Sequence, residues 1–527
     1  MEKLTFNRES TRLFTDISNR ISYDQESLLE YINTPFSKDA FENQIQLKSK
    51  QFTSYKRDVL VNSLTSSYQG IETDKKVKNN IELLSSDSTF TITTGHQLSI
   101  FTGPIYFIYK ILHVIRLTEE LNKKYPKNKF VPVFWMASED HDFEEIQSVS
   151  LFNKTLKWET EQKGAVGRFT IDSFNPIIEE FKTFFQNHPE SEVINLLNSY
   201  KGENLGNATF QLVNNLFKSY GLVIVDGDNV ELKKEFASIM EAELKTQFSF
   251  KAVNDTSDKL KNEGIKLQIT PREYNLFYLA NNSRERIQPH NEGFFIEGRG
   301  TISTQKLLLE LKNNPSDFSP NVVLRPLYQE SILPNLCYLG GGGEMAYWLQ
   351  LKSVFDAVDC VFPLIQVRNS ILTIDAGSLK KMNSIGLTIE NLFLEIDDLK
   401  KQYVLSNSEE ELNFSNLDKT FEKLSINLEN QIVQVDQNLK SYASAEITRI
   451  EKQISSIKQK LIKAEKGKYE QTLIQIEQIK NRLFPNGGMQ ERSINFFSLC
   501  SDGNVQIHLD KIYNAILPFE NNLIVLK

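Results

Sequence analysis

The segment from Thr93 to Ile146, TTGHQLSIFTGPIYFIYKILHVIRLTEELNKKYPKNKFVPVFWMASEDHDFEEI, constrains the fold more than any other part of the chain. A β-rich run, STFTIT from Ser88, leads into it, and a second apolar run, KFVPVFWMA at 129–137, lies near its end. Between them Ile105, Ile108, Leu112, Ile115 and Leu121 recur close to the helical period, and Pro104 suits a first helical turn. Strand, helix and strand in such a short span form a βαβ unit, which requires parallel pairing and a right-handed crossover. YGLVIVDGD at 220–228 reads as a third buried strand ending in Asp226 and Asp228, and PNVVLRPLYQE and DCVFPLIQV read as further strands. The expected fold class is therefore α/β around a parallel sheet. Residues 10–85 read as polar amphipathic helices. Segments at about 150–220, mostly helical, and 230–310, with the hairpin-like ITPREYNLFYL, read as insertions between core strands.

Beyond Gly386 the pattern changes. Apolar residues recur at Leu417, Phe421, Leu424, Leu428, Ile432, Val435, Leu439 and Tyr442, then at Ile447, Ile450, Ile454, Ile457 and Leu461, and again at Ile476, Ile479 and Leu483. Steps of three and four with Lys, Glu and Gln between them predict an α-helical coiled coil. Its phase breaks near Ser441–Glu446, at either a hairpin turn or a stutter. PNGG at 485–488 stops the helix. The stripe is long and thin, with charged flanks that leave little else to bury it, so it is expected to form a homodimer. The expected organisation is a core over 1–388 with its insertions, a dimerising coiled coil over 389–485, and a C-terminal segment, 486–527, packing back on the core.

The 527 residues carry 60 basic and 68 acidic side chains, a net charge of −8 that disfavours a nucleic-acid partner. Cys337, Cys360 and Cys500 are far apart and without CxxC spacing, which excludes a disulfide scaffold or thiolate zinc knuckle and suits a reducing compartment. The start, MEKLTFNRESTRLF, has no apolar signal core, and the most apolar helix is interrupted by Lys110, His113 and Arg116. A cytoplasmic protein without a membrane partner is expected.

Ligands of open parallel sheets bind outside the carboxyl ends of the strands, where TGHQLSIFTGP and SEDHDFEE both fall. In the first, Gly95 and Gly103 permit close backbone approach, the amides opening the next helix suit a phosphate or carboxylate, and His96, Gln97 and Thr102 offer polar groups. The turn resembles that of nucleotidyl-transferring Rossmann enzymes without their two-histidine pattern, and neither GxGxxG nor GxxxxGK[ST] occurs. A tight capping turn is the structural reading. In the second, Glu139, Asp140, His141 and Asp142 could grip an amine, do acid–base work or bind a divalent cation, against the plain reading of a solvated loop; no metal is assigned. LRPLYQESILPNLCYLGGGGEMAYWLQLK at 324–352 adds Arg325, Glu330, the glycines 340–343 and Glu344, and GGMQER at 487–492 adds Gln490 and Arg492 as a second ligand site or a clamp.

Together, TGHQLSIFTGPIYFIYK, PVFWMASEDHDFEEI, PREYNLF, the 324–352 segment and PNGGMQER resemble, in that order along the chain, the bacillithiol biosynthesis cysteine-adding enzyme family, BshC. The resemblance implies a Rossmann-like core with connecting inserts and a C-terminal coiled coil that dimerises. It implies a cysteine ligase performing the last step of bacillithiol assembly, in which cysteine's carboxyl is joined to the amine of glucosaminyl-malate. Family members often carry glutamine at the position of His96, so no proton transfer is assigned there. On this reading Asp140, His141 and Glu139 are catalytic. Gly95, His96, Gln97, Thr102, Gly103, Asp142, Arg325, Glu330 and Glu344 bind substrate, with Arg325 suited to the malate carboxylates. ATP or ADP is the expected nucleotide, with Gln490 and Arg492 as its contacts. The other readings are a metal-dependent hydrolase built on Asp140, His141 and Asp142, and a non-enzymatic scaffold acting through the coiled coil.

Overall fold

The computed structural model describes residues 2–152, 154–280, 282–408 and 414–527. Five strands form the central sheet: β1 (Thr89–His96), β2 (Lys129–Met136), β3 (Val223–Asp226), β4 (Asn335–Gly340) and β5 (Leu364–Val367). All pair in parallel, in the spatial order β3-β2-β1-β4-β5. Both faces of the sheet are covered, which is why VPVFWM and NLCYLG are continuous buried runs rather than alternating ones. The chain winds outward from β1 to β3 and then returns on the other side of β1 to lay down β4. That reversal places a crevice between the carboxyl ends of β1 and β4. Helix α1 (Tyr106–Lys124) makes the first crossover and is buried along most of its length, including Lys110 and His113. His113 accepts the Asn369 N–H at Nδ1 (3.0 Å) and pairs through Nε2 with Pro518 O (3.1 Å), which fixes a neutral ring; burial lowers its pKa to about 4.

The insertion between β2 and β3 opens with a hairpin, Ser148–Leu151 with Lys154–Lys157, that the sequence reading missed, and continues as helices, among them Leu205–Phe217. After β3 come α2 (Val230–Thr246) and the helix Phe248–Asn262. An antiparallel sheet follows, in which Leu276–Ala280 pairs with Ser283–Arg286 on one side and Phe318–Pro320 on the other. PNVVLRPLYQE is not a strand: Arg325–Ile332 forms helix α3, and the strand is the next segment, β4. Pro326 explains the difference. It lacks an N–H, which a first helical turn tolerates and a central strand does not. DCVFPLIQV does supply β5.

Residues 491–526 belong with 1–372 in one compact unit. Leu523–Leu526 pairs antiparallel with Lys3–Phe6 and is flanked by Ser370–Thr373, so the two termini share a small sheet. Thr373–Gln490 forms the second unit. Its boundary precedes the expected 388 because helix α4 (Ala376–Ser384) packs on α7 (Glu470–Leu483), with Arg482 Nε 3.0 Å from Asp375. Before α7, α5 (Ser415–Val435) and α6 (Lys440–Lys466) run antiparallel, tied by a Lys458–Asp418 pair. The hairpin turns at Asp436–Leu439, earlier than Ser441–Glu446, because Asp436 is extended (φ −154°) and its carboxylate caps Asn438 N–H at 2.9 Å. Much of the stripe stays uncovered within this unit: Leu424 is 51% exposed and Ile457 59%. No helix among the described residues is long and apolar enough to cross a membrane.

Candidate active site

A cavity of about 840 Å³ opens at the carboxyl ends of β1, β2 and β4. Its floor is a buried polar knot. Lys110, from the second turn of α1, donates to Gly95 O (2.7 Å) and Glu344 Oε2 (2.6 Å). Tyr338 of β4 donates to Glu344 Oε1 (2.6 Å) and accepts the Gly95 N–H (3.1 Å). Burial pushes the Glu344 carboxyl up, but Lys110 beside it wins and holds it below the usual range. A Cβ on Gly95 would lie 3.0 Å from the Tyr338 hydroxyl, so the close approach that the glycine permits is taken by tyrosine. Burial, with Lys110 adding, lowers the His96 pKa to about 4. The neutral ring donates from Nδ1 to Gln97 O (2.8 Å) and accepts at Nε2 from Tyr106 (3.1 Å). Thr102 and Gly103 shape the loop and do not line the cavity. Both have positive φ, and Asn495 Nδ2 donates to Phe101 O (2.8 Å) and Gly103 O (2.6 Å).

The acidic loop divides into an inward and an outward half. Glu139 points inward and pairs with Lys233 of α2 (2.7 Å), which also holds Asp228 (2.7 Å). Arg168 grips Asp228 with two bonds of 2.6 and 2.8 Å. Burial raises the Glu139 pKa against the pull of Lys233. Asp140 faces the cavity, receiving Gln97 Nε2 (2.9 Å) and the His141 N–H (2.7 Å). Burial alone would raise its pKa, yet those hydrogen bonds and the Arg284 guanidinium hold it well below the carboxylate range. Arg284 donates to His141 Nδ1 (2.9 Å), which leaves the ring proton on Nε2, and lies 3.9 Å from Asp140. The ligand atoms of Asp140, His141 and Asp142 fall within 4.8 Å of one another, but the guanidinium already supplies the positive charge that a cation would bring. The donor set thus fits a metal poorly.

Cations dominate the rim. Lys110, Arg272, Arg284, Arg286, Arg325, Arg368 and Arg492 line the cavity against Glu139, Asp140, Asp142 and Glu344, so it favours an anionic ligand. Arg368 is occupied by a bidentate pair with Glu491 (2.7 and 3.0 Å), and Arg325 reaches Tyr347 (3.2 Å) and Gln329 (3.3 Å). The exposed Arg272, Arg286 and Arg492 have side chains with no hydrogen bond or ion pair among the described residues. A Cβ on Gly341 or Gly343 would meet open space, leaving that backbone accessible.

Two further expected site residues also lie outside the cavity. Glu330 is buried beside Lys48 (3.8 Å) and accepts Asn335 Nδ2 (2.7 Å) under the sheet. Gln490, in the second unit, accepts the Thr373 N–H and donates to Thr373 O, both at 3.0 Å, as a structural clamp. Conversely, the sequence reading gave no site role to Lys110, Lys233 or Arg284. Lys110 carried a signal, since a lysine inside an otherwise apolar helix face must find a carboxylate.

Residues 1–369 match the family described as "Bacillithiol biosynthesis BshC, N-terminal Rossmann-like domain", and 371–527 match its C-terminal coiled-coil domain. A Flavobacterium johnsoniae protein named "Putative cysteine ligase BshC" is 39% identical, covering 95% of each chain. A Flavobacterium psychrophilum protein of the same name is 40% identical over 95% of this chain and 94% of its own. A more distant one, from Bacillus cereus, is 27% identical over 89% and 90%. With the five-stranded parallel sheet and its crevice agreeing with the Rossmann-like description, the chain belongs to the BshC family.

Proposed function

We propose that this protein is a ligase joining the carboxyl of cysteine to the amine of glucosaminyl-malate, the closing step of bacillithiol assembly. The observation that carries the reading is the Asp140 carboxylate, which faces a cavity whose other charges are mainly arginines and accepts from Gln97 and its own loop. That combination suits a molecule bearing an ammonium together with carboxylates. Asp140 and Asp142 anchor the glucosamine ammonium, and Arg325 with the unpaired Arg272 takes the malate carboxylates.

Condensing a free carboxylate with an amine requires activation, for which we assign ATP. The cysteine carboxylate attacks a phosphorus of ATP, giving an acyl phosphate with ADP or an acyl adenylate with pyrophosphate. The ammonium loses one proton before the attack; the neutral amine then attacks the acyl carbon, and its second proton leaves with the expelled phosphate or AMP. Glu139, the buried carboxylate at the cavity edge with a raised pKa, receives the first proton while Lys233 stays charged. The phosphates fit beside Arg492 and the open backbone of Gly341 and Gly343. His141, held by Arg284, positions the loop.

Cells lacking the protein should accumulate glucosaminyl-malate and contain no bacillithiol; an unchanged thiol profile would contradict the reading. We further assign a homodimer through the coiled coil, because the stripe on α5 and α6 stays exposed among the described residues of its unit. Replacing Ile450 and Ile454 with Asp puts charge into that seam, so light scattering should show the mass halved. An unaltered mass, or a monomeric parent protein, would refute the dimer.

A further inference from the structure

A second cavity, of about 480 Å³, adjoins the first and shares His141, Phe277, Arg284 and Arg286 with it. The wall between the two is a stack. Arg284 lies 4.1 Å over the Phe277 ring, the His141 and Phe277 rings are 5.3 Å apart, and Arg284 bonds His141 Nδ1. Both insertions build the far side: Gly164, at φ +96°, brings one backbone against Ser283 of the other, where a Cβ would lie 3.0 Å from the Ser283 nitrogen. From this geometry we infer that the smaller chamber is the cysteine subsite, separate from the larger chamber that takes the amine-bearing substrate. The inference rests on the ligase reading above, which requires two substrates to meet at Asp140 and His141.

The lining matches a small thiol-bearing zwitterion. Phe143, Phe169 and Phe277 give an aromatic surface that favours sulfur. Lys163 and Arg286 supply positive charge, and Glu285 and Glu297 negative charge; none of these four side chains has a hydrogen bond or ion pair among the described residues. A free amino acid needs both signs at once, whereas a dicarboxylate would meet repulsion from the two glutamates. With its ammonium toward the glutamates, cysteine directs its carboxylate to Arg284, at the opening into the larger chamber. Malate carboxylates find the denser arginines there.

The test measures binding of L-cysteine, and separately of L-malate as a probe of the other substrate, to the full-length protein by calorimetry. Gln288→Trp fills the small chamber from a surface strand, and Lys163→Glu reverses its charge. Neither residue touches the larger chamber. Both variants should weaken cysteine at least tenfold and leave malate within twofold, with unchanged melting curves. Undiminished cysteine affinity in the two variants, or loss of malate instead, overturns the subsite while the ligase reading stands. A parent protein that binds neither probe overturns the ligase reading and the subsite with it.

Discussion

Replacing Asp140 with Asn should lower kcat/KM for glucosaminyl-malate by roughly 10²–10⁴-fold while leaving the fold intact. The side chain is the convergence point of the cavity, accepting from Gln97 and from the backbone of its own loop, with Arg284 nearby. Asparagine keeps the shape but turns one acceptor into a donor facing the Gln97 amide, and it removes the carboxylate charge that acts most strongly on Arg284. Because the hydrogen bonds and Arg284 favour the ionised form of Asp140, its expected contribution is electrostatic rather than proton transfer. Two consequences separate the roles. The loss should be independent of pH between about 6 and 9, since a carboxyl whose pKa is lowered, as that of Asp140 is, titrates well below that range. His141→Ala, which removes one of the partners of Arg284 but keeps the Asp140 carboxylate, should cost less. Equal rates in the parent protein and Asp140→Asn would return the loop to plain solvated surface.

The second large effect is on stability. Lys233 is 1% exposed and neutralises two buried carboxylates, Glu139 and Asp228. Lys233→Met leaves both without their central cation, with only Arg168 still on Asp228. Breaking a buried pair from one side costs about 3–5 kcal/mol, because the remaining charge stays desolvated. The first urea unfolding transition should shift by that much, and Lys233→Arg should recover part of it. The penalty should shrink at low pH, where the abandoned carboxylates take up protons. Burial already raises the Glu139 pKa, so its protonation comes first as pH falls. A variant as stable as the parent protein at neutral pH would refute the cluster's role.

The parallel core was legible because β1, α1 and β2 carry their own periodicities, and both strand-end turns fell where such a sheet places ligands. The coiled coil was legible for the same reason, although its turn was placed late. Spacing locates a change of phase, but the extended Asp436 and its cap locate the turn. Helix α3 was mistaken for a strand because PNVVL is β-rich, and the weight of Pro326 was missed. The site was visible as separate motifs, yet its assembly was not. Glu139 and Asp140 are neighbours in sequence with opposite environments, and only the three-dimensional positions of Lys233 and Arg284 separate them. Glu330 and Gln490 sit beside motif glycines and arginines in sequence, but their contacts are structural.

The central claim is the reaction itself. Purified protein should be given glucosaminyl-malate, cysteine and ATP, with bacillithiol followed by mass spectrometry alongside AMP and ADP. The account predicts bacillithiol formed in step with one of the two nucleotides, AMP for an acyl adenylate or ADP for an acyl phosphate. It also predicts no product when the amine substrate is omitted. Folded protein that makes no bacillithiol under any nucleotide condition, even when supplemented with extract from cells lacking the gene, would contradict it.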